Sequence, residues 1–204
     1  VQTCALPIWI NEKFTELKRK NEKALIAYIM MGFPNEKATI TTVRGLVKGG
    51  ADIIELGFPF SDPLADGPVI QNASTVSLEK GTNISKFFNL VKKIRKETDI
   101  PLVLMTYTNI LYHRGYEKFI SEAKSAGIDG FILPDMSIEE SKEYTKSAEN
   151  KADTIFLISP NTSKTRIEKI AKTSTGFLYL VAVFGTTGVK TSIKNYTLKA
   201  IKNV

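Results

Sequence analysis

The 204-residue sequence predicts an α/β fold: a TIM (β/α)8-type parallel barrel of which about six of the eight βα units are present. Short runs rich in Ile, Leu, Val and Phe alternate with amphipathic helical patterns, which is typical of a parallel sheet covered by helices. An open doubly wound sheet is the alternative, but it usually carries a glycine-rich turn after its first strand. Here that turn, Met31-Gly32-Phe33-Pro34, has one glycine, which favours the barrel.

The predicted elements alternate along the chain after a first helix at residues 9–20, where Ile10, Phe14 and Leu17 recur at helical spacing. Apolar runs of strand length predict six strands, at 24–30, 52–56, 101–105, 129–133, 154–158 and 177–183. Apolar residues at intervals of three or four predict helices between the strands. We expect these helices at 36–49, around Phe87–Ile94, around Phe119–Ala126, after the capping box of Ser137 and Glu140, and at 163–173.

One domain is expected, because a chain of this size with 43% hydrophobic residues can bury one substantial core. We assign residues 9–204 to a single partial barrel and expect residues 1–8, which fit no helical pattern, to be a non-native leader. A complete barrel typically has about 250 residues. We therefore expect the seventh and eighth strands to be missing, with the loops that usually bind a substrate phosphate. Such an open barrel would expose two sheet edges, which predicts aggregation and poor activity.

Charge and composition argue against several classes of partner. The net charge is +7, but the basic residues are mostly Lys scattered along helical faces, so we expect no nucleic-acid partner. No run approaches the roughly 20 apolar residues of a membrane helix, and no secretory signal is visible. The single cysteine, Cys4, fits a reducing cytoplasm. The lone His113 has no metal-ligand set beside it in sequence, so we expect no metal.

The most informative segment is residues 53–73, an apolar strand followed by a loop rich in Gly and Pro. Glu55 lies near the end of the strand, and Asp62 and Asp66 lie in the loop. Acids at the carboxyl end of a barrel strand and in the loop that follows are placed for proton transfer to a ligand. The alternative is a solvated loop whose Asp residues only stabilise turns. The length and order of the pattern favour the catalytic interpretation.

This segment closely resembles the corresponding motif of the tryptophan synthase alpha chain family. The matching residues are Glu55-Leu56-Gly57, Pro59–Pro68 and Gln71-Asn72-Ala73, and the resemblance continues through Asn109, Leu133-Pro134-Asp135, Glu139-Glu140 and Gly185-Thr186-Thr187-Gly188. It implies a lyase that cleaves indole-3-glycerol phosphate to indole and glyceraldehyde 3-phosphate by a retro-aldol step. Two alternatives stay open: a non-catalytic partner that docks on and activates a beta subunit, and a different barrel enzyme with a phosphate-bearing substrate.

The resemblance also implies roles for individual residues. Glu55 would be the general acid/base, with its pKa raised by apolar surroundings, and Asp66 would stabilise positive charge at the indole nitrogen. Substrate-binding residues would be Tyr28, Ile70, Met105, Ile132 and Tyr179, for which barrel core is the alternative, together with Thr187 and Gly188 of a mobile loop.

The family's partner is the tryptophan synthase beta chain, in an alpha2beta2 assembly. The resemblance places Asp62, Pro63 and Asn109 at that interface. It implies no cofactor on this chain, with pyridoxal phosphate carried by the beta subunit.

Overall fold

The computed structural model describes residues 10–63 and 66–181. These residues form six strands: β1 (Ile26–Met30), β2 (Ile53–Gly57), β3 (Leu102–Met105), β4 (Gly130–Ile132), β5 (Asp153–Ile158) and β6 (Leu178–Leu180). The helices are α1 (Ile10–Arg19), α2 (Glu36–Lys48), α3 (Pro68–Glu79), α4 (Ile84–Arg95), α5 (Thr108–Arg114), α6 (Tyr116–Ala126), α7 (Lys142–Ala148) and α8 (Lys164–Thr173). Residues 1–8, which the sequence analysis predicts to be a non-native leader, lie outside the described part of the chain.

The six strands form one parallel sheet in the order of the sequence, each hydrogen-bonded to the next. The sheet curls into part of a barrel with helices around it. Sequential order with a helix in each crossover is the arrangement that distinguishes a barrel from a doubly wound sheet. The predicted fold class is therefore confirmed.

Alternate residues of each strand point to opposite faces of the sheet. Both faces are buried in the four central strands, whereas β1 and β6 at the edges are mostly half-buried. The outer face packs against the helices through residues such as Leu56, Leu104 and Phe131. The inner face forms a smaller apolar cluster, made of Ile10, Ile53, Val103, Ile132 and Ile155. Burial on both faces explains why the strands read as continuous apolar runs rather than as alternating patterns.

Helix α1 closes the amino-terminal end of the sheet interior. Ile10 is fully buried, and its backbone N–H donates to Asp153 Oδ2 at 3.3 Å. Phe14 packs on Phe177 with ring centroids 5.7 Å apart. Because apolar side chains of α1 fill this end, polar side chains of the inner face are available to a ligand only toward the carboxyl ends of the strands.

Three features of the helices differ from the prediction. Helices α3 and α5 were not predicted at all. Only one half of the predicted capping box is seen: the Glu140 N–H donates to Ser137 Oγ at 3.3 Å, while the Glu140 carboxylate accepts from the Ser137 hydroxyl at 2.8 Å. The residues that follow are a turn, and α7 begins at Lys142. The Ser141 hydroxyl donates to the Ile138 carbonyl at 2.9 Å, a local bond of the kind that competes with a regular helix.

Among the described residues no helix is long and apolar enough to cross a bilayer.

Candidate active site

Glu55 is a buried acid on the inner face of β2. It pairs in register with Tyr28 of β1 and Val103 of β3, and only 4% of its surface is exposed. Burial disfavours its charged form and is the main reason that the pKa of Glu55 rises to about 7, while the nearby charge of Asp66 raises it further. Near neutral pH this carboxyl group therefore has both its protonated and its ionised form available.

Asp66 lies at the end of the loop after β2, two residues before α3 begins at Pro68. Its carboxylate is largely buried, with 9% of the residue exposed, and it accepts a hydrogen bond from the Tyr107 hydroxyl at 3.5 Å. Gln71 of α3 donates from Nε2 to the Asp66 carbonyl at 2.9 Å. Burial raises the pKa of Asp66, and the hydrogen bond from Tyr107 opposes that rise.

The loop that carries Asp66 is fixed to α3 and to the end of β3. The buried Ser74 hydroxyl accepts from the Phe60 N–H at 2.8 Å and donates to the Phe60 carbonyl at 2.9 Å. The Phe60 ring stacks on Tyr107, with centroids 4.9 Å apart and planes inclined by 26°. The same Tyr107 also contacts Asp66. Tyr107 therefore links Phe60, near the start of the loop, to Asp66 at its end.

Tyr28 and Tyr179 complete an aromatic wall around the two acids. The pKa of each phenol is raised, first by burial and then by the negative charges of Asp66 and Glu55, so both phenols lie near both carboxylates. The Tyr28 ring covers Gly57, because a Cβ on Gly57 would lie 2.6 Å from Tyr28 Cζ and collide with the hydroxyl. Gly57 is therefore required to admit the Tyr28 ring.

The structure places four of the predicted substrate-binding residues on the inner face: Tyr28, Met105, Ile132 and Tyr179. Ile70 is different, because it belongs to α3. Ile70 and Tyr28 line an open apolar cavity of about 620 Å³, whose described lining residues include neither Glu55 nor Asp66. Thr187 and Gly188, the predicted mobile-loop residues, lie outside the described residues.

The three predicted interface residues lie beyond the carboxyl ends of β2 and β3. Asp62 is exposed and accepts from the Ser61 hydroxyl at 2.5 Å. Pro63 is half-buried, and Asn109 is exposed in the first turn of α5. The start of α5 is fixed by Asp135, which accepts the Thr108 N–H at 2.9 Å. These positions share the end of the sheet that carries Glu55 and Asp66.

Sequence reasoning missed Tyr107, which contacts Asp66, and Ser74, which holds Phe60. The signal for Tyr107 was its position just after β3, where an aromatic residue at the carboxyl end of a barrel strand faces the site. No sequence signal distinguishes Ser74 from other helical serines. Within residues 10–63 and 66–181, no group of three or more His, Cys, Asp or Glu side chains is placed to hold a metal ion.

The fold and the site together define a parallel α/β barrel with a pair of buried carboxylates placed for acid–base chemistry. The sequence profile described as "Tryptophan synthase alpha chain" matches residues 14–204. The chain belongs to the tryptophan synthase alpha chain family, which consists of lyases of tryptophan biosynthesis. The resemblance seen in the sequence is thereby confirmed.

Individual relatives agree with this assignment. The tryptophan synthase alpha chain of Methanosarcina barkeri is 47% identical over 196 residues, which cover 96% of this chain and 74% of the relative. A solved structure from Aquifex aeolicus superimposes with a TM-score of 0.87 at 38% identity and covers 95% of this chain and 74% of that chain. Tryptophan synthase of Mycobacterium tuberculosis superimposes with a TM-score of 0.86 at 30% identity, with 95% and 75% covered.

Proposed function

We propose that this chain cleaves indole-3-glycerol phosphate to indole and glyceraldehyde 3-phosphate, with Glu55 as general acid/base and Asp66 as the electrostatic stabiliser. The observation that carries this assignment of roles is the convergence of two buried carboxyl groups, of which Glu55 has its pKa raised to about 7. The family's known reaction supplies the chemistry.

The reaction needs a group that both gives and takes a proton. Protonation of indole C3 must precede the cleavage of the bond from C3 to the side chain. The hydroxyl of the adjacent side-chain carbon then loses its proton as the aldehyde forms, so the step is balanced without an oxidant or reductant. A carboxyl group with a pKa near the working pH performs both transfers efficiently. Glu55, buried between Tyr28 and Val103, has that property.

Asp66 supports the intermediate rather than transferring the proton. Protonation at C3 leaves positive charge on the indole nitrogen, and a fixed carboxylate beside that N–H stabilises it. A preorganised partner of this kind typically lowers the barrier by about 3 kcal/mol. The hydrogen bonds from Tyr107 and Gln71 hold Asp66 in place before the substrate binds, and Tyr28, Met105, Ile132 and Tyr179 would supply the flat apolar wall.

The partner we propose is a tryptophan synthase beta chain, which carries the pyridoxal phosphate and consumes the indole in the cytoplasm. Support comes from the solved M. tuberculosis tryptophan synthase among the structural relatives and from the exposed positions of Asp62 and Asn109. On this chain we propose no cofactor, because the retro-aldol step needs only proton transfer and charge stabilisation.

Indole release from indole-3-glycerol phosphate tests the two roles. We expect Glu55→Gln to lower kcat by about 10³-fold and Asp66→Asn by about 10²- to 10³-fold. Glu79→Gln and Asp99→Asn remove exposed carboxylates of the same types and should retain the wild-type rate. Undiminished release from Glu55→Gln would eliminate Glu55 as the general acid/base, and undiminished release from Asp66→Asn would eliminate the stabilising role of Asp66.

A further inference from the structure

We propose that Tyr107 is a positioning residue, whose hydroxyl orients the Asp66 carboxylate and keeps it ionised for the indole N–H. This inference rests on the proposed role of Asp66. Tyr107 follows β3 and is itself 7% exposed, so its hydroxyl acts inside the site rather than in solvent. It is assigned no part in proton transfer.

Two contacts on different parts of the ring restrict Tyr107. The hydroxyl donates to Asp66 Oδ2 at 3.5 Å, and the ring face stacks on Phe60 at 4.9 Å. Phe60 is in turn held through both of its backbone polar groups by Ser74. Because α3 fixes Phe60 and Phe60 packs on the ring, the hydroxyl is directed at one oxygen of the Asp66 carboxylate.

Several other titratable groups lie near the Asp66 carboxylate. Glu55 of β2 bears a like charge when ionised, and Tyr28 of β1 and Tyr179 of β6 present phenols whose pKa values are raised by the negative charge of Asp66. Burial also raises the pKa of Asp66, and the Tyr107 hydrogen bond is what lowers it. The hydroxyl therefore favours the ionised form in surroundings that otherwise favour the neutral acid.

Tyr107→Phe tests this proposal because it removes the hydroxyl and keeps the ring that packs on Phe60. Titration of ¹³C-labelled Asp carboxyl groups by NMR should show a higher pKa for Asp66 in the variant than in the wild type. Indole release should show a kcat lower by about tenfold, the loss expected for one hydrogen bond to a charged group, with KM changed by less than about twofold.

The matched control is Tyr112→Phe, which removes a hydroxyl from an exposed tyrosine of α5 and should change neither quantity. A measurement on the unaltered chain accompanies the variants: the Cζ resonance of Tyr107 should titrate with the pKa of Asp66, and Asp66→Asn should abolish that titration. An Asp66 pKa that is the same in Tyr107→Phe as in the wild type, or a Tyr107 resonance that ignores Asp66, overturns the proposal. If the pKa responds but Asp66→Asn retains full turnover, positioning stands and the proposed role of Asp66 fails.

Discussion

Glu55 is a buried acid, and its environment determines its chemistry. The neighbouring residues in its own strand, Ile54 and Leu56, are fully buried, and its cross-strand neighbours are Tyr28 and Val103. Transfer of an ionised carboxylate into such surroundings is unfavourable, so the group retains its proton to higher pH. The same burial that would suit Glu55 to its proposed role makes its ionisation destabilising to the fold.

Stability should therefore fall as Glu55 ionises. The folded pKa of about 7 lies above the ordinary 4.5, so the folded state binds more protons between these values and is favoured by the lower pH. We expect Glu55→Gln to gain stability relative to the wild type as pH rises from about 4.5 to 8, by about 3 kcal/mol. Urea unfolding at the two pH values measures this difference, with Glu79→Gln as the control for loss of one carboxylate. A difference between Glu55→Gln and the wild type that is the same at both pH values would contradict the raised pKa.

The site residues divide into those that a sequence motif can indicate and those that packing determines. Glu55 and Asp66 were predicted because they lie at a strand end and in the following loop, within a segment that resembles the family motif. Tyr107 is 41 residues from Asp66, and its contact depends on the stacking with Phe60, which no local pattern specifies. Ile70, predicted with four strand residues to bind substrate, lies on α3 and lines a cavity with Tyr28.

At the level of helices and strands, the elements missed by the sequence analysis are those without apolar periodicity. The buried residues of α3 are Ala73, Ser74 and Ser77, which allow close packing but read as polar or neutral. Ser77 donates to the Met31 carbonyl at 2.6 Å, so hydrogen bonds replace part of the apolar contact. Helix α5 buries only Leu111 over its seven residues. Helical periodicity needs a longer window than this to be recognised.

An ion pair fixes α4 to the amino-terminal ends of β3 and β4. Arg95 Nη2 donates to Asp129 Oδ2 at 2.5 Å and to the Gly127 carbonyl at 2.6 Å. The same carboxylate oxygen accepts the Leu102 N–H at 2.8 Å. The side chains of Arg95 and Asp129 are 19% and 9% exposed, so loss of one partner would leave a largely desolvated charge and an unpaired backbone group.

We therefore expect Asp129→Ala to lower the free energy of unfolding by about 3 kcal/mol, as is typical when one partner of a buried pair is removed. Glu97→Ala is the matched control, because Glu97 also pairs with an arginine, Arg44, through two hydrogen bonds but at the surface. Its cost should stay below about 1 kcal/mol. Equal losses for the two variants in urea unfolding would refute the distinction between buried and exposed pairs.

Across the whole molecule, stability and chemistry occupy opposite ends of the sheet. At the amino-terminal end lie the Arg95–Asp129 pair and the apolar side chains of α1. At the carboxyl end lie Glu55, Asp66 and the loops before α3 and α5. This division is general for parallel barrels, whose strands and helices supply the scaffold while the loops after the strands supply function.

The overall fold was more predictable than its details, because strict alternation of apolar strands and amphipathic helices leaves few topologies. Strand boundaries agreed within two or three residues wherever the strand is described, since Gly and Pro bound the apolar runs. The curl of the sheet could not be derived from any one strand. It was inferred from the single glycine after β1 and from the family resemblance, and the sequential strand order confirmed it.

The central claim is that Glu55 and Asp66 act together on one indole ring inside the barrel. A crystal structure of the chain with a non-cleavable analogue, an indole bearing a phosphorylated three-carbon chain without the hydroxyl next to the ring, tests it most directly. We predict a Glu55 carboxyl oxygen within about 3.5 Å of indole C3 and an Asp66 oxygen about 2.9 Å from the indole nitrogen. An indole ring bound elsewhere, or in contact with only one of the two acids, would contradict the account.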